Sequence, residues 1–296
     1  MKKGNWAVFN TCDVPVVFKK FFADNINKAK LLICGLGFFE CFINSKSISD
    51  DMFVPAQTDY EERKNKTLAY PLDDIFSHRI YYMEYDVSEF ICEGENEIEI
   101  HLGNGWYNQK ERTIEEKLDF GNPKLWFELE IENQDGKRQM VVSDEEMKWK
   151  KSNITFNNLF FGEVHDFCCD TSKVFECEFT DAPDSRFLKQ TCPADKIIRT
   201  IKPKFLKTVN GKKIYEAKEN IAGYVRCMCK GKVTLRFGDE LFNDGSINFF
   251  HCGGDEQIQS DTCITDDKER YFEPKFVWHA FRYFEMESIK IISVDK

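Results

Sequence analysis

Apolar and polar residues alternate in short runs along the first half of the chain. The clearest run is Asn96-Glu97-Ile98-Glu99-Ile100-His101-Leu102. A period of two sends successive side chains to opposite faces, the signature of a half-buried β-strand. Comparable stretches at 6–9, 16–22, 30–34, 38–43, 79–85, 125–131, 139–142 and 147–149 predict further strands. Turn chemistry separates them. Gly35 and Gly37 mark a bend or bulge, Asn44-Ser45-Lys46 a tight turn with Asn44 tolerant of positive φ, and Asn133-Gln134-Asp135-Gly136 a hairpin. Residues 50–76 are polar and turn-rich, with Pro55 and Pro71, and predict a long loop of the kind that is functional or disordered. Residues 108–118 fit one short charged helix.

From 153 to 185 the pattern loosens, and a linker is expected around 168–193. A second set of strands follows at 197–201, 223–229, 232–237, 258–264, 276–279, 281–286 and 289–294. Asn210-Gly211 and Asp244-Gly245 read as turns, and Lys230-Gly231 as a short hairpin. Short strands at this spacing, with almost no helical period longer than about ten residues, predict an all-β chain of two jelly-roll or β-sandwich domains in tandem. The expected domains are 1–170 and 171–296.

Composition adjusts this picture in three ways. Aromatic residues make up 15% of the 296 residues, 28 of them phenylalanine, which suits pleated, half-buried surfaces. The formal net charge is −10 and no Lys/Arg-rich block stands out, which argues against nucleic acid and against anionic membranes as partners. Twelve cysteines in a chain of this length do not make a disulfide framework. Cys34, Cys41, Cys227 and Cys229 lie in apolar runs and read as small buried hydrophobes, and no pair has zinc-site spacing. No apolar core follows Met1-Lys2-Lys3, and no run approaches a membrane span, so the expectation is a reduced, soluble, cytoplasmic protein.

The chemically richest stretch is His101-Leu102-Gly103-Asn104-Gly105-Trp106-Tyr107, where a strand meets two glycines and two amphipathic aromatics. Two readings are open. The aromatics plug the end of a sandwich, or they offer a flat face to a sugar ring beside the Asn104 amide.

The order of these signals resembles the amino-terminal half of bacterial α-L-rhamnosidases. The resemblance rests on residues 29–40 with Gly35-Leu36-Gly37-Phe38-Phe39-Glu40, then Phe42-Ile43-Asn44, Pro55, and Thr58-Asp59-Tyr60. It continues through Tyr82, Tyr85-Asp86-Val87, Gly94-x-Asn96, Leu102-Gly103-Asn104-Gly105-Trp106-Tyr107, and Phe161-Gly162-Glu163 with Asp166. In the second half Asn220-Ile221-Ala222-Gly223-Tyr224-Val225, Asp239-Glu240-Leu241, Asp244-Gly245, Gln259-x-Asp261 and Pro274-x-Phe276-x-x-His279-x-Phe281-Arg282-Tyr283 follow in the same order. Departures are Ser45 where the family favours Gly, Lys218-Glu219 before Asn220 where Gly-Gln is expected, and Ala280 where Gly is usual. The resemblance implies two β-sandwich modules ahead of a catalytic α/α toroid carrying the carboxyl groups of an inverting glycosidase. Such a toroid needs on the order of 350 further residues, so the chain is expected to lack the catalytic domain.

The candidate sites follow from both readings. Modules resembling the first domain include rhamnose binders that use a calcium ion, which wants 6–8 oxygen ligands. Asn104, Trp106 and Tyr107 are the candidate carbohydrate-binding residues, and Asp50, Asp51 and Asp59 from the long loop are the candidate calcium ligands. No catalytic residue is assigned. Asp267-Lys268-Glu269-Arg270 reads as a solvated loop, and His101 and His279 as packed or hydrogen-bonded residues. The expected function is an accessory region that binds a rhamnose-containing glycan and packs against the toroid. The alternatives are a structural scaffold, with Phe249-Phe250 or Phe160-Phe161 as interface, and an autonomous glycosidase.

Overall fold

The computed structural model of the chain describes residues 3–61, 78–109, 118–250 and 258–294. Among them there is no α-helix. Strands account for most of the regular structure, with a 3-10 turn at Ser88–Phe90. The chain divides into two compact units, and it crosses between them more than once. Described residues up to 109, 118–152 and 172–197 form the first unit, while 153–171 and 198–294 form the second.

The first unit is a sandwich of two sheets. One orders Glu178–Thr180, Trp6–Val8, Lys124–Asn133, Ile26–Leu36, Arg79–Asp86 and Arg186–Lys189, with Arg138–Val142 added beside Lys124–Asn133. The other orders Val174–Glu176, Lys148–Lys151, Pro15–Ala23, Gly94–Gly103, Phe38–Ile43 and Lys46–Ser47. Alternation decides which side chains meet between them. Ala29, Leu31, Ile33, Leu125, Phe127, Leu129 and Ile131 of the first sheet join Val17, Phe21, Phe39, Cys41, Ile98, Ile100 and Leu102 of the second in one core. Each large apolar side chain so buried contributes about 1.5–3 kcal/mol.

The intervening positions of the seven-stranded sheet face outward, yet they are apolar too. Leu32, Cys34, Leu36, Ile80, Tyr82 and Trp126 build a second, aromatic-rich cluster with Trp6, Tyr60, Trp106, Tyr107, Phe120 and Phe187. Cys34, Gly35 and Leu36 are buried for this reason, on either parity of the strand. The sheet is thus covered on its outer face by loops, and one of those loops carries the aromatic pair.

Local turn signals are realised with two changes. Asn44 and Ser45 adopt φ of 51° and 63°, so the serine occupies the left-handed conformation that glycine would enter at lower cost. Asn44 Nδ2 anchors the turn by donating to Phe90 O at 2.9 Å and Asn96 Oδ1 at 2.7 Å. The hairpin expected at Lys230-Gly231 is instead a bulge within one strand, Cys227–Gly238, whose register against His279–Val294 shifts there. A Gly at φ 76° suits a bulge as well as a turn, and pairing of both flanks with the same long strand selects the bulge. The helix expected over 108–118 falls largely outside the described residues. Its flanks, Asn108–Gln109 and Leu118–Asp119, pair as antiparallel strands.

The second unit centres on an eight-stranded sheet ordered Ile154–Asn158, Gly162–Asp166, Ser260–Ile264, Cys227–Gly238, His279–Val294, Lys212–Gly223 and Lys204–Val209, with Arg270–Phe272 beside Cys227–Gly238. Bulges in the long strands bend the sheet around a core of Val233, Leu235, Phe237, Phe272, Phe281 and Phe284. Residues 197–201, expected as a strand, pair with no strand among the described residues. Ile198 there is 90% exposed, so the apolar run has no core to enter.

Candidate functional site

Strand Gly94–Gly103 ends against Phe38, which pairs with Gly103. Gly37 has φ of +113°, and a Cβ at that position would lie 2.0 Å from Gly103 O. A Cβ on Gly105 would lie 2.9 Å from Gly37 C and Phe38 N. These glycines therefore serve the close approach of two backbone turns, not of a ligand. Past this contact the chain is delivered onto the outer aromatic cluster.

Trp106 and Tyr107 then separate in role. Tyr107 is fully buried. Its ring stacks on Phe120 at 5.6 Å and 20°, and meets Tyr60 edge-on at 5.3 Å and 90°. Its hydroxyl donates to Glu61 Oε1 at 2.5 Å, and Lys124 Nζ lies 3.5 Å from the same oxygen and 5.7 Å from the ring centroid. A ring enclosed in this way presents no face to a sugar, so Tyr107 is a packing residue here. Trp106 is only half-buried at the margin of the same cluster. Asn104, also half-buried, closes its own loop. Its Oδ1 accepts from Asn108 Nδ2 at 3.1 Å and its carbonyl accepts from Asn108 N at 3.2 Å.

Beside these residues lie polar atoms with no bonding partner among the described residues. Tyr60 OH, Asn108 Oδ1 and Gln109 Oε1 are buried without a hydrogen-bond partner among the described residues, although Gln109 Nε2 donates to Gly105 O. Such atoms are rare in folded proteins, and each has a cost of about 1–3 kcal/mol unless water or a ligand satisfies it. Burial also pushes the Tyr60 hydroxyl pKa upward, which keeps it protonated and able to donate. Sequence reasoning passed over Glu61, Asn108 and Gln109. The one available signal was a pair of amides directly after a pair of aromatics.

The three aspartates are engaged by the protein itself. Asp50 Oδ1 lies 2.5 Å from Lys196 Nζ, which holds the Asp50 carboxyl below its usual range. Asp51 Oδ1 is 3.5 Å from the same ammonium, and Oδ2 accepts from Tyr85 OH at 3.1 Å. Asp59 Oδ1 accepts from Arg79 N at 3.2 Å, with Oδ2 3.3 Å from His78 Nδ1. The structure thus brings Asp50 and Asp51 together around a lysine and occupies Asp59 with His78 and Arg79. Among the described residues no three His, Cys, Asp or Glu side chains form a group that could hold a metal ion.

The second unit contains a buried polar network that the motifs announced only as separate letters. Glu163 is inaccessible to solvent. Its Oε1 accepts from Lys275 N at 2.9 Å and lies 2.5 Å from His165 Nε2, while Oε2 accepts from Phe276 N at 2.9 Å. Asp261 Oδ1 accepts from Glu163 N at 3.0 Å, and its Oδ2 lies 2.9 Å from His279 Nε2. His279 stacks on Phe237 at 4.1 Å. Both carboxyl groups therefore tie strands and a loop together inside a core. The Asp266–Arg270 stretch is surface chemistry, as expected: Arg270 donates to both oxygens of Asp266 at 3.2 and 3.0 Å, and Asp267, Lys268 and Glu269 are exposed.

A two-sheet sandwich followed by a second β-module, with no helical domain described, defines the class: paired β-modules of the sort found within multidomain proteins. Comparison with known proteins gives the family. The model of the α-L-rhamnosidase N-terminal domain matches residues 24–204, and that of the bacterial α-L-rhamnosidase concanavalin-like domain matches residues 206–294. The chain belongs to the α-L-rhamnosidase N-terminal domain family. It is 28% identical over 299 aligned positions to an α-L-rhamnosidase of Formosa agariphila, covering 90% of this chain and 29% of that protein. An α-L-rhamnosidase of Streptomyces avermitilis is 24% identical, with 88% and 25% covered. Among solved structures, the α-L-rhamnosidase from Dictyoglumus thermophilum superposes with a TM-score of 0.82 at 25% identity, over 99% of this chain and 34% of that one. The Streptomyces avermitilis α-L-rhamnosidase complexed with L-rhamnose gives 0.77 at 22% identity, over 95% and 27%. The chain thus spans roughly a third or less of the relatives it matches.

Proposed function

We propose that this chain is an accessory region of an α-L-rhamnosidase-type glycoside hydrolase, contributing carbohydrate binding through the loop at residues 103–109. The observation that carries the reading is the half-exposed Trp106 indole beside three buried polar atoms, on Tyr60, Asn108 and Gln109, that have no partner among the described residues. A pyranose needs an apolar face for its C–H surface and donors and acceptors for its hydroxyls, and this loop offers the former with spare capacity for the latter. Rhamnose is the sugar favoured by the family and by the L-rhamnose bound to the Streptomyces avermitilis relative. The test is a titration with L-rhamnose followed by tryptophan fluorescence in the parent chain and in Trp106→Phe, repeated with EDTA. A calcium-dependent site loses its response on chelation, and a metal-free one keeps it.

A second reading is supported by the other unit. Phe242 and Phe250, at the small hairpin Glu240–Leu241 with Ile247–Asn248, are 53% and 71% exposed. In a longer rhamnosidase these rings would pack against a further domain, such as a catalytic α/α toroid, and the modules would serve as scaffold. Concentration-dependent self-association by light scattering, relieved by Phe250→Ser, would favour this role.

A further inference from the structure

Charge is unevenly distributed over the second unit. Residues 199–213 contain Arg199, Lys202, Lys204, Lys207, Lys212 and Lys213 and no Asp or Glu, in a chain whose formal net charge is −10. The basic residues are mostly spaced singly, so they form no block in the sequence, and it is the fold that gathers them. Strand Lys204–Val209 turns at Asn210-Gly211, with φ of 50° and 80°, and pairs with Lys212–Gly223 so that Val209 meets Lys212 and Thr208 meets Lys213. Lys204–Val209 is the last strand of its sheet among the described residues. At about 3.3 Å per residue, its six residues make an open edge roughly 20 Å long.

Some of these cations are neutralised internally. Lys212 pairs with Glu285 at 2.9 Å, Arg199 with Glu219 at 2.8 Å, and Lys207 Nζ donates to Asp244 O at 2.7 Å. Lys202, Lys204 and Lys213 are exposed, and among the described residues no hydrogen bond or ion pair engages their ammonium groups. Phe205, 49% exposed with its ring 5.6 Å from Tyr215, shares a face of the hairpin with Lys213, while Lys204 lies on the other face, cross-strand from Glu216. Lysines on an edge strand also guard against unwanted strand pairing. That role accounts for Lys204 and Lys207, which lie on the edge strand. It requires neither Lys202 and Lys213 nor the lack of any acid over the whole segment.

We propose that this hairpin is a second binding surface, built for an anionic polysaccharide whose sugars carry carboxylate or sulfate groups. Ammonium groups flanking an open edge on both faces suit charges repeated along an extended polymer, and Phe205 supplies an exposed apolar face for a ring on the side of Lys213. An acidic chain repels the broad phosphate front of a nucleic-acid duplex, whereas a single glycan strand needs only this narrow strip. The surface uses none of the residues around Trp106, so either site can fail without the other.

The test uses the full chain on immobilised polygalacturonate, dextran sulfate and uncharged dextran. The expected result at low salt is retention on one or both charged polymers and none on dextran. Retention is lost by about 0.5 M salt, where screening shortens charge interactions to a few ångströms. Binding to polygalacturonate alone assigns carboxylate as the recognised group, and to dextran sulfate alone, sulfate. The variant K202E/K204E/K213E, exposed at all three positions and checked for an unchanged thermal transition, is expected to bind roughly tenfold or more weakly. Three results overturn the proposal: no retention of the parent chain on either polymer, a triple variant that binds as well as the parent, or a short DNA duplex bound as tightly as the polysaccharides. L-rhamnose, being uncharged, reports on the Trp106 loop separately.

Discussion

Replacing Glu163 by alanine should unfold the second unit far more readily than any surface change. The side chain is inaccessible to solvent and answers three groups: the N–H of Lys275, the N–H of Phe276 and His165 Nε2. Truncation leaves two backbone donors and one imidazole nitrogen buried without their acceptor, and it opens a cavity where the carboxyl stood. A buried unsatisfied group costs about 1–3 kcal/mol, and breaking a buried hydrogen-bonded pair about 3–5 kcal/mol. A loss of about 4 kcal/mol is therefore expected, corresponding to a fall of roughly 10–15 °C in Tm for a domain of this size. Glu163→Gln keeps one carbonyl oxygen for one backbone donor and should lose about half as much. The assay is hydrogen exchange by mass spectrometry on peptides covering Ser260–Ile264 and Gly162–Asp166, with calorimetry for Tm. A destabilisation by Glu163→Ala below about 1 kcal/mol would show instead that these donors find water as readily as the carboxyl group, and that the buried network contributes little.

Three further outcomes are expected. Gly37→Ala puts a Cβ 2.0 Å from Gly103 O at a φ of +113°, so it should destabilise the first unit by more than about 2 kcal/mol in a urea titration, while Gly136→Ala, with open space around it, should be milder. The Cys177 thiol is pushed up to about 12 by burial and then by Glu176, so at pH 8 it should react with iodoacetamide much more slowly than exposed Cys12 or Cys192, as read by peptide mapping. The His101 ring 2.8 Å from Glu99 holds that carboxyl below its usual range. A depressed carboxyl contributes stability above its unfolded pKa of about 4.3 and loses it as pH falls through the folded value. Parent and Glu99→Gln should therefore differ by less than about 1 kcal/mol near pH 6 and converge near pH 3 in denaturant melts.

Much of the sandwich was legible because a period of two is a local property. Ala29, Leu31 and Ile33 point inward, while Leu32, Cys34 and Leu36 join the outer cluster, as parity requires. What parity could not reveal is that the outer face is also covered, since the loops that cover it come from distant parts of the chain. The same limit governs the aromatic pair. Whether Trp106 or Tyr107 turns inward depends on how the Gly103–Gly105 turn seats against Gly37, a contact without any local signal. Lys230-Gly231 read as a hairpin because bulge and turn ask the same of a glycine, and only pairing with His279–Val294 separates them. Glu163, Asp261 and His279 were visible as motif letters. Their shared burial is a tertiary fact, as is the gathering of singly spaced lysines onto one edge hairpin.

Sugar binding at the proposed Trp106 loop is read out by L-rhamnose titration of the parent chain against Trp106→Phe, followed by fluorescence. A saturable change is expected in the parent at millimolar sugar, where a Kd of 1 mM corresponds to about −4.1 kcal/mol, together with its loss in the variant. A parent chain unresponsive up to about 50 mM, or a response that Trp106→Phe leaves intact, would contradict it.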